Sequence, residues 1–135
     1  MYTFPYESKY INEGIIPNPR VSLKVYLTSG FIWIRFLVDS GADVTTLPIN
    51  PYAEFVHFKK NPKDKITIGG IEGIGVTGYP FSLNAQLCGY KFLLRCYFIE
   101  SQIEPLLGRL DFWRLFSISF NNERKRTEIA SIIHS

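Results

Sequence analysis

The chain has 135 residues, 46% hydrophobic and 16% aromatic; at roughly 100–150 residues per domain this gives one folded domain with enough apolar mass for a core, and excludes both intrinsic disorder and a two-lobed enzyme. Fifteen Lys and Arg against twelve Asp and Glu leave a net charge of +3, too small an excess to indicate a polyanionic partner, so no nucleic acid is expected. The longest apolar runs, Phe31-Ile32-Trp33-Ile34 and Phe36-Leu37-Val38, fall far short of the roughly 20 residues that cross a bilayer, and no membrane is expected either.

Residues 1–20, with Pro5, Pro17 and Pro19, read as an extended N-terminal arm. They carry neither a basic start nor an apolar signal core, so the expected setting is cytoplasmic. From Val21 the sequence alternates, with Val21, Leu23, Val25 and Leu27 on one face and Ser22, Lys24, Tyr26 and Thr28 on the other, the pattern of a half-buried strand. Ser29-Gly30 supplies a turn. Residues 31–38 are nearly continuous in apolar character, which predicts a strand covered on both faces. Further β-rich runs fall at 65–68, 75–87, 90–99, 116–120 and 126–132, separated by Gly, Pro or Asn clusters at 48–51, 69–73, 88–89 and 121–122. Only 107–115, through Leu107, Leu110 and Trp113, has helical spacing, predicting one short C-terminal helix in a mostly β fold.

Few residues can carry chemistry. The histidines are His57 and His134 alone, and the second sits where chain ends fray, so a nucleophilic triad is hard to assemble. Cys88 and Cys96 lack Cys-x-x-Cys spacing and read as reduced, structural residues. No pair of side chains has metal-ligand spacing, so neither a metal nor a cofactor is expected. The cluster Gly69-Gly70-Ile71-Glu72-Gly73 is not followed by Lys-Ser/Thr and a helix, which excludes a phosphate cradle. What remains is Phe36-Leu37-Val38-Asp39-Ser40-Gly41-Ala42-Asp43-Val44-Thr45-Thr46-Leu47-Pro48, an acid at the end of an apolar strand on a turn of small residues. Asp, Ser and Gly are ordinary turn formers, but this turn is bracketed by core-type segments, so Asp39 is expected to be held deep and to need partners.

At this point the sequence resembles the retropepsin-like aspartic proteases, whose motif is an apolar stretch, Asp-Thr/Ser-Gly-Ala-Asp and a β-branched run. Three landmarks occur in order. Leu37-Val38-Asp39-Ser40-Gly41-Ala42-Asp43 is the first; Ile68-Gly69-Gly70-Ile71-Glu72-Gly73 is similar to the glycine-rich flap of the retroviral enzymes, with Glu72 where glycine is common; Pro105-Leu106-Leu107-Gly108-Arg109 is similar to the apolar-Gly-Arg signature before the family's C-terminal helix. The resemblance covers residues 21–120 and implies a closed β-barrel of the acid-protease type. The arm at 1–20 and a C-terminal hairpin strand and tail at 121–135 lie outside it.

The resemblance implies a mechanism in which two carboxyls share one proton, one taking a proton from water and the other giving one to the amide. Two like charges at contact cannot both ionise, so such a pair titrates in two steps and activity is bell-shaped in pH. One motif per chain implies a homodimer with the site on its two-fold axis and Asp39, Ser40 and Gly41 from each chain at its centre. It further implies that Ser40 cross-links the two active-site loops and that Asp43 and Arg109 form a partly buried ion pair. Ala42, Asp43 and the flap residues Gly69, Gly70, Ile71, Glu72 and Gly73 would bind an extended peptide as an added strand, with Ile71 presenting the tip N–H. The retroviral dimer interleaves its chain ends, whereas 124–132 reads here as an extra hairpin strand. Two other readings stand beside the endopeptidase: a catalytically silent retropepsin-like dimerisation or peptide-binding module, and a nucleic-acid-binding barrel suggested by Arg124-Lys125-Arg126, a cluster that reads more simply as the cap of a solvated hairpin.

Overall fold

Strand alternation builds most of the molecule. The computed structural model describes residues 1–69 and 75–132. It begins with three short strands, β1 (Tyr2–Pro5), β2 (Glu7–Ile11) and β3 (Gly14–Asn18). The alternating segment becomes β4 (Arg20–Leu27), with Val21, Leu23 and Val25 fully buried. It pairs antiparallel with β5 (Gly30–Val38) from Arg20↔Leu37 to Leu27↔Gly30. Ile34, Phe36 and Val38 of β5 face the core, but Phe31 and Trp33 are exposed. The expectation of cover on both faces is thus corrected: β5 is two-faced at its start, where the Lys24 ammonium lies 4.0 Å from the Phe31 ring centroid and shields part of it.

The next segments are β6 (Thr45–Pro48), the short helix α1 (Ile49–Phe55) and β7 (Ile66–Ile68). Then follow the long strands β8 (Val76–Leu87) and β9 (Tyr90–Ile99), joined by Cys88-Gly89 with both φ angles positive, +54° and +73°, as a two-residue hairpin of matching twist requires. After β10 (Leu106–Leu107), the chain ends in a hairpin of β11 (Phe116–Asn121) and β12 (Arg126–Ser131). Lys125 lies in the connecting turn at φ +55°, and Arg126 is tied to Glu128, so the basic cluster is a hairpin cap.

A seven-stranded sheet runs β4-β5-β10-β6-β9-β8-β7, and β4 pairs again with β8 at Lys24–Gln86, Val25–Ala85 and Tyr26–Asn84. Its inner face carries Phe36, Phe98, Leu23, Ile34, Leu47 and Leu94, all essentially solvent-free, and Phe58 stacks on Phe98 with centroids 4.8 Å apart. A second sheet, β1-β12-β11, pairs the first strand with the last within one chain. The β2–β3 hairpin forms a sheet of its own.

The helix expected over 107–115 is corrected. These residues form β10 and then a run of turns, because Asp111 sits at φ +68°, a conformation that interrupts a right-handed helix. The helix lies instead at Ile49–Phe55, directly after Pro48, where the proline cluster was expected only to separate strands. Proline is tolerated at a helix start, since the first N–H groups have no intrahelical acceptor. Cys88 and Cys96 are both free, and burial pushes the Cys96 thiol up to about 12, leaving it protonated and inert at neutral pH.

Candidate active site

Asp39 is delivered by the end of β5. The preceding N–H, that of Val38, donates to Pro19 O at 2.9 Å, and the Asp39 N–H donates to Leu107 O at 3.1 Å. Its carboxylate is oriented locally, since Gly41 N–H donates to Asp39 Oδ1 at 3.0 Å and Ala42 N–H to Asp39 O at 3.2 Å. Asp39 is half-buried rather than deep as expected, because Ser40 and Gly41 beside it are exposed. A carboxylate placed this way is firmly held yet open on one side, as an acid–base group must be to meet water and substrate.

The returning chain locks the loop. Gly108 N–H donates to the buried Thr45 Oγ1 at 3.0 Å, Arg109 N–H to Ala42 O at 3.0 Å and Leu110 N–H to Asp43 O at 2.9 Å. Gly108 has to be glycine: a Cβ there would lie 2.4 Å from the carbonyl carbon and oxygen of Val44 and 2.8 Å from its nitrogen. β10 is wedged between β5 and β6, parallel to the first and antiparallel to the second, so the two loops approach backbone to backbone. Neither Thr45 nor this close approach was apparent from the sequence; the signal that could have found them is the small Gly108 set after two leucines of a strand.

Arg109 and Asp43 do form an ion pair, between Nη2 and Oδ1. It is not partly buried as expected: the side chains are 49% and 84% exposed, so in a single chain water screens it and it contributes less than about 1 kcal/mol. A pair with one buried member is elsewhere, joining Asp111 to the exposed Arg95 side chain. Asp111, 4% exposed, accepts from the Arg95 backbone N–H at 2.8 Å, from Nε at 3.0 Å and from Nη2 at 2.8 Å. These fork-shaped hydrogen bonds from Arg95 hold the Asp111 carboxyl below the ordinary aspartate range, against the opposing effect of burial. Sequence reasoning missed Asp111, since its partner is sixteen residues away on a neighbouring strand.

A carboxyl whose pKa is lowered on folding contributes stability that is complete above the unfolded range and fades as pH falls through the folded one. Asp111→Ala is therefore expected to cost about 1–3 kcal/mol near neutral pH, by leaving the partly buried Arg95 backbone N–H without its acceptor. The difference from wild type should shrink in strong acid. Urea melts at neutral pH and below the ordinary aspartate range measure both; a difference that stays constant with pH would show that the charge plays no part.

A cleft of about 540 Å³ opens beside the loop. Gly41, Ala42 and Asp43 form one wall, Ile66, Ile68 and Gly69 of the opposite hairpin another, and Tyr97, Ile99, Ile103 and Leu106 give it a largely apolar floor. The hairpin arms pair as Ile66↔Gly78, Thr67↔Thr77 and Ile68↔Val76. Gly75 is needed there, since an added Cβ would lie 2.3 Å from Thr67 Cγ2 and 2.7 Å from Ile68 O. Of the expected flap residues, Gly69 is exposed at the end of β7, and Gly70, Ile71, Glu72 and Gly73 lie outside the described residues. His57 is exposed in the loop after α1. Among the described residues no group of three or more His, Cys, Asp or Glu is arranged to hold a metal, and no helix is long and apolar enough to cross a membrane.

The fold with this loop at its centre is that of the retropepsin-like aspartic proteases. Among solved structures, the chain is similar to a retropepsin-like aspartic protease from Rickettsia conorii, at 16% identity and a TM-score of 0.58, covering 96% of this chain and 99% of that one. It is also similar to the EIAV protease complexed with the inhibitor HBY-793, at 20% identity and a TM-score of 0.51, covering 75% of this chain and 88% of that one. No protein-family model matches the chain, and no curated protein sequence matches it significantly.

Proposed function

We propose that the chain is a homodimeric aspartic endopeptidase that hydrolyses peptide bonds by a water molecule activated between two Asp39 carboxyls, one from each protomer. The observation that carries this reading is the single Asp39, oriented by the Gly41 N–H on a loop fixed to residues 107–110, at the edge of a mostly apolar cleft open to an extended peptide. One carboxyl takes a proton from water and the other, protonated, gives one to the leaving amide nitrogen. A chain with one such loop supplies half of that pair, so a second copy completes the site.

In this reading residues 21–120 are the protease unit, flanked by residues 1–20, which form β1 and the β2–β3 hairpin in place of the extended arm expected, and by the hairpin strand and tail at 121–135. The second pairing of β4 with β8 supports closure of the sheet as an acid-protease barrel. Ser40, exposed beside Asp39, is free to bond across the dimer, and Gly41, Ala42 and Asp43 line the substrate opposite Gly69; the flap role of Gly70, Ile71, Glu72 and Gly73 rests on the sequence motif alone. The apolar floor favours cleavage beside hydrophobic residues.

The test is cleavage of a mixed peptide library by the purified protein from acid to neutral pH, with a statine-type transition-state mimic as competitor. Expected are cuts flanked by apolar residues, a bell-shaped pH profile and competitive inhibition. Absence of cleavage together with absence of binding to the mimic at every pH would overturn the enzyme reading in favour of a silent dimerisation or peptide-binding module.

A further inference from the structure

We propose that the β2–β3 hairpin is a clamp that packs its apolar tip onto a second copy of this chain, flanking the axis on which the two Asp39 residues meet. The proposal rests on the homodimeric reading above and adds to it the element that grips the partner.

The hairpin is unusual in what it leaves uncovered. Among the described residues it pairs only with itself, from Glu7↔Asn18 to Ile11↔Gly14, and an isolated two-stranded hairpin is marginally stable in water. Yet its tip is apolar on both faces: the cross-strand neighbours Tyr10 and Ile15 are 75% and 63% exposed, and Ile11 and Ile16 on the other face are 41% and 37% exposed. Apolar groups gathered on a projecting element mark an interaction surface.

Its root says which partner covers it. Glu7, the first hairpin residue, is paired with both Arg20 and Arg35, and Arg20 Nη1 also reaches Glu104 at 2.5 Å. Pro19, just after β3, accepts the hydrogen bond from Val38, the residue before Asp39. The hairpin is therefore rooted one residue from the carboxylate that has to meet its copy. Once two Asp39 side chains approach to hydrogen-bonding distance, the surface of the other protomer lies next to this root, and a five-residue strand reaches about 17 Å from it. The strands nearest the two chain ends are occupied by each other as β1 and β12, whereas β2 and β3 form a two-stranded sheet with open edges. The fixed and charged root orients the hairpin, and the apolar tip supplies the contact.

The experiment is sedimentation velocity on the full chain over a dilution series, alongside peptide cleavage at each concentration. Tyr10→Ser with Ile15→Ser is expected to raise the dimer dissociation constant at least tenfold, with unchanged circular dichroism. Specific activity should fall at low protein concentration and return at high concentration. Ile15→Lys, a single exposed change, is expected to act in the same direction and serves if the double variant folds poorly. Variants that dimerise as tightly as wild type would overturn the clamp and leave the homodimer standing. Wild type that cleaves peptides as a monomer at every concentration would overturn the homodimeric reading and the clamp with it.

Discussion

Asp39→Asn is expected to lower peptide cleavage by about 10³-fold or more, within the 10²–10⁴ range over which a positioned acid–base group acts, while leaving fold and association intact. The amide oxygen of asparagine is shaped to accept the same Gly41 N–H that now donates to Asp39 Oδ1 at 3.0 Å. What it cannot do is take a proton from water. In a symmetric dimer one substitution removes both carboxyls at once, so no half-active site remains. The measurement is kcat/KM on the best peptide found in the library, with sedimentation and urea melts on the same preparations. A variant that keeps more than a tenth of wild-type activity would remove Asp39 from the reaction.

Gly108→Ala is the second large effect, and it tests the support rather than the acid. The new Cβ would meet the Val44 backbone at 2.4 Å, where no side-chain rotation relieves the clash. The two loops have to separate by about 1 Å, at a cost of roughly 1–3 kcal/mol or more. The same movement breaks the bond from Gly108 N–H to Thr45 Oγ1 and strains those from Arg109 and Leu110. Because displacement of a reacting group by about 1 Å can reduce rate about 10²-fold, kcat/KM should fall on that order even at temperatures where the variant stays folded. At Gly69, by contrast, an added Cβ meets nothing within 4 Å among the described residues, so alanine there should leave stability nearly unchanged. Urea melts on both variants separate these outcomes, and equal losses of stability at the two glycines would discard the close-approach argument.

The strands of this fold were legible where alternation or a turn signal spoke alone. Val21, Leu23 and Val25 announced β4, and Cys88-Gly89 announced the β8–β9 hairpin. The failures share one cause, which is that tertiary contacts decided the local structure. Leu107, Leu110 and Trp113 have helical spacing, but Asp111 is turned inward to Arg95 at φ +68°, and that conformation outweighs periodicity. Phe31 and Trp33 are apolar yet face outward on β5, because burial depends on what packs opposite. β6 was hidden by its two threonines and Pro48, although all four of its residues are buried. For the site, the motif around Asp39 pointed to the loop, and the chemistry of glycine pointed to close approaches. Which atoms close the loop could not be read, since Thr45 and Gly108 are 63 positions apart and nothing local to either names the other.

The bonds from residues 107–110 to the Asp39 loop all lie within one chain. In the proposed dimer, the carboxylate and its turn are thus set when the protomer folds, and association brings together two surfaces that are already ordered. The conformational entropy of fixing the loop is then a cost of folding and not of binding. Dimer affinity should then respond to changes in the docking surfaces, and substrate, which binds only the completed site, should tighten it by mass action without having to order the loops.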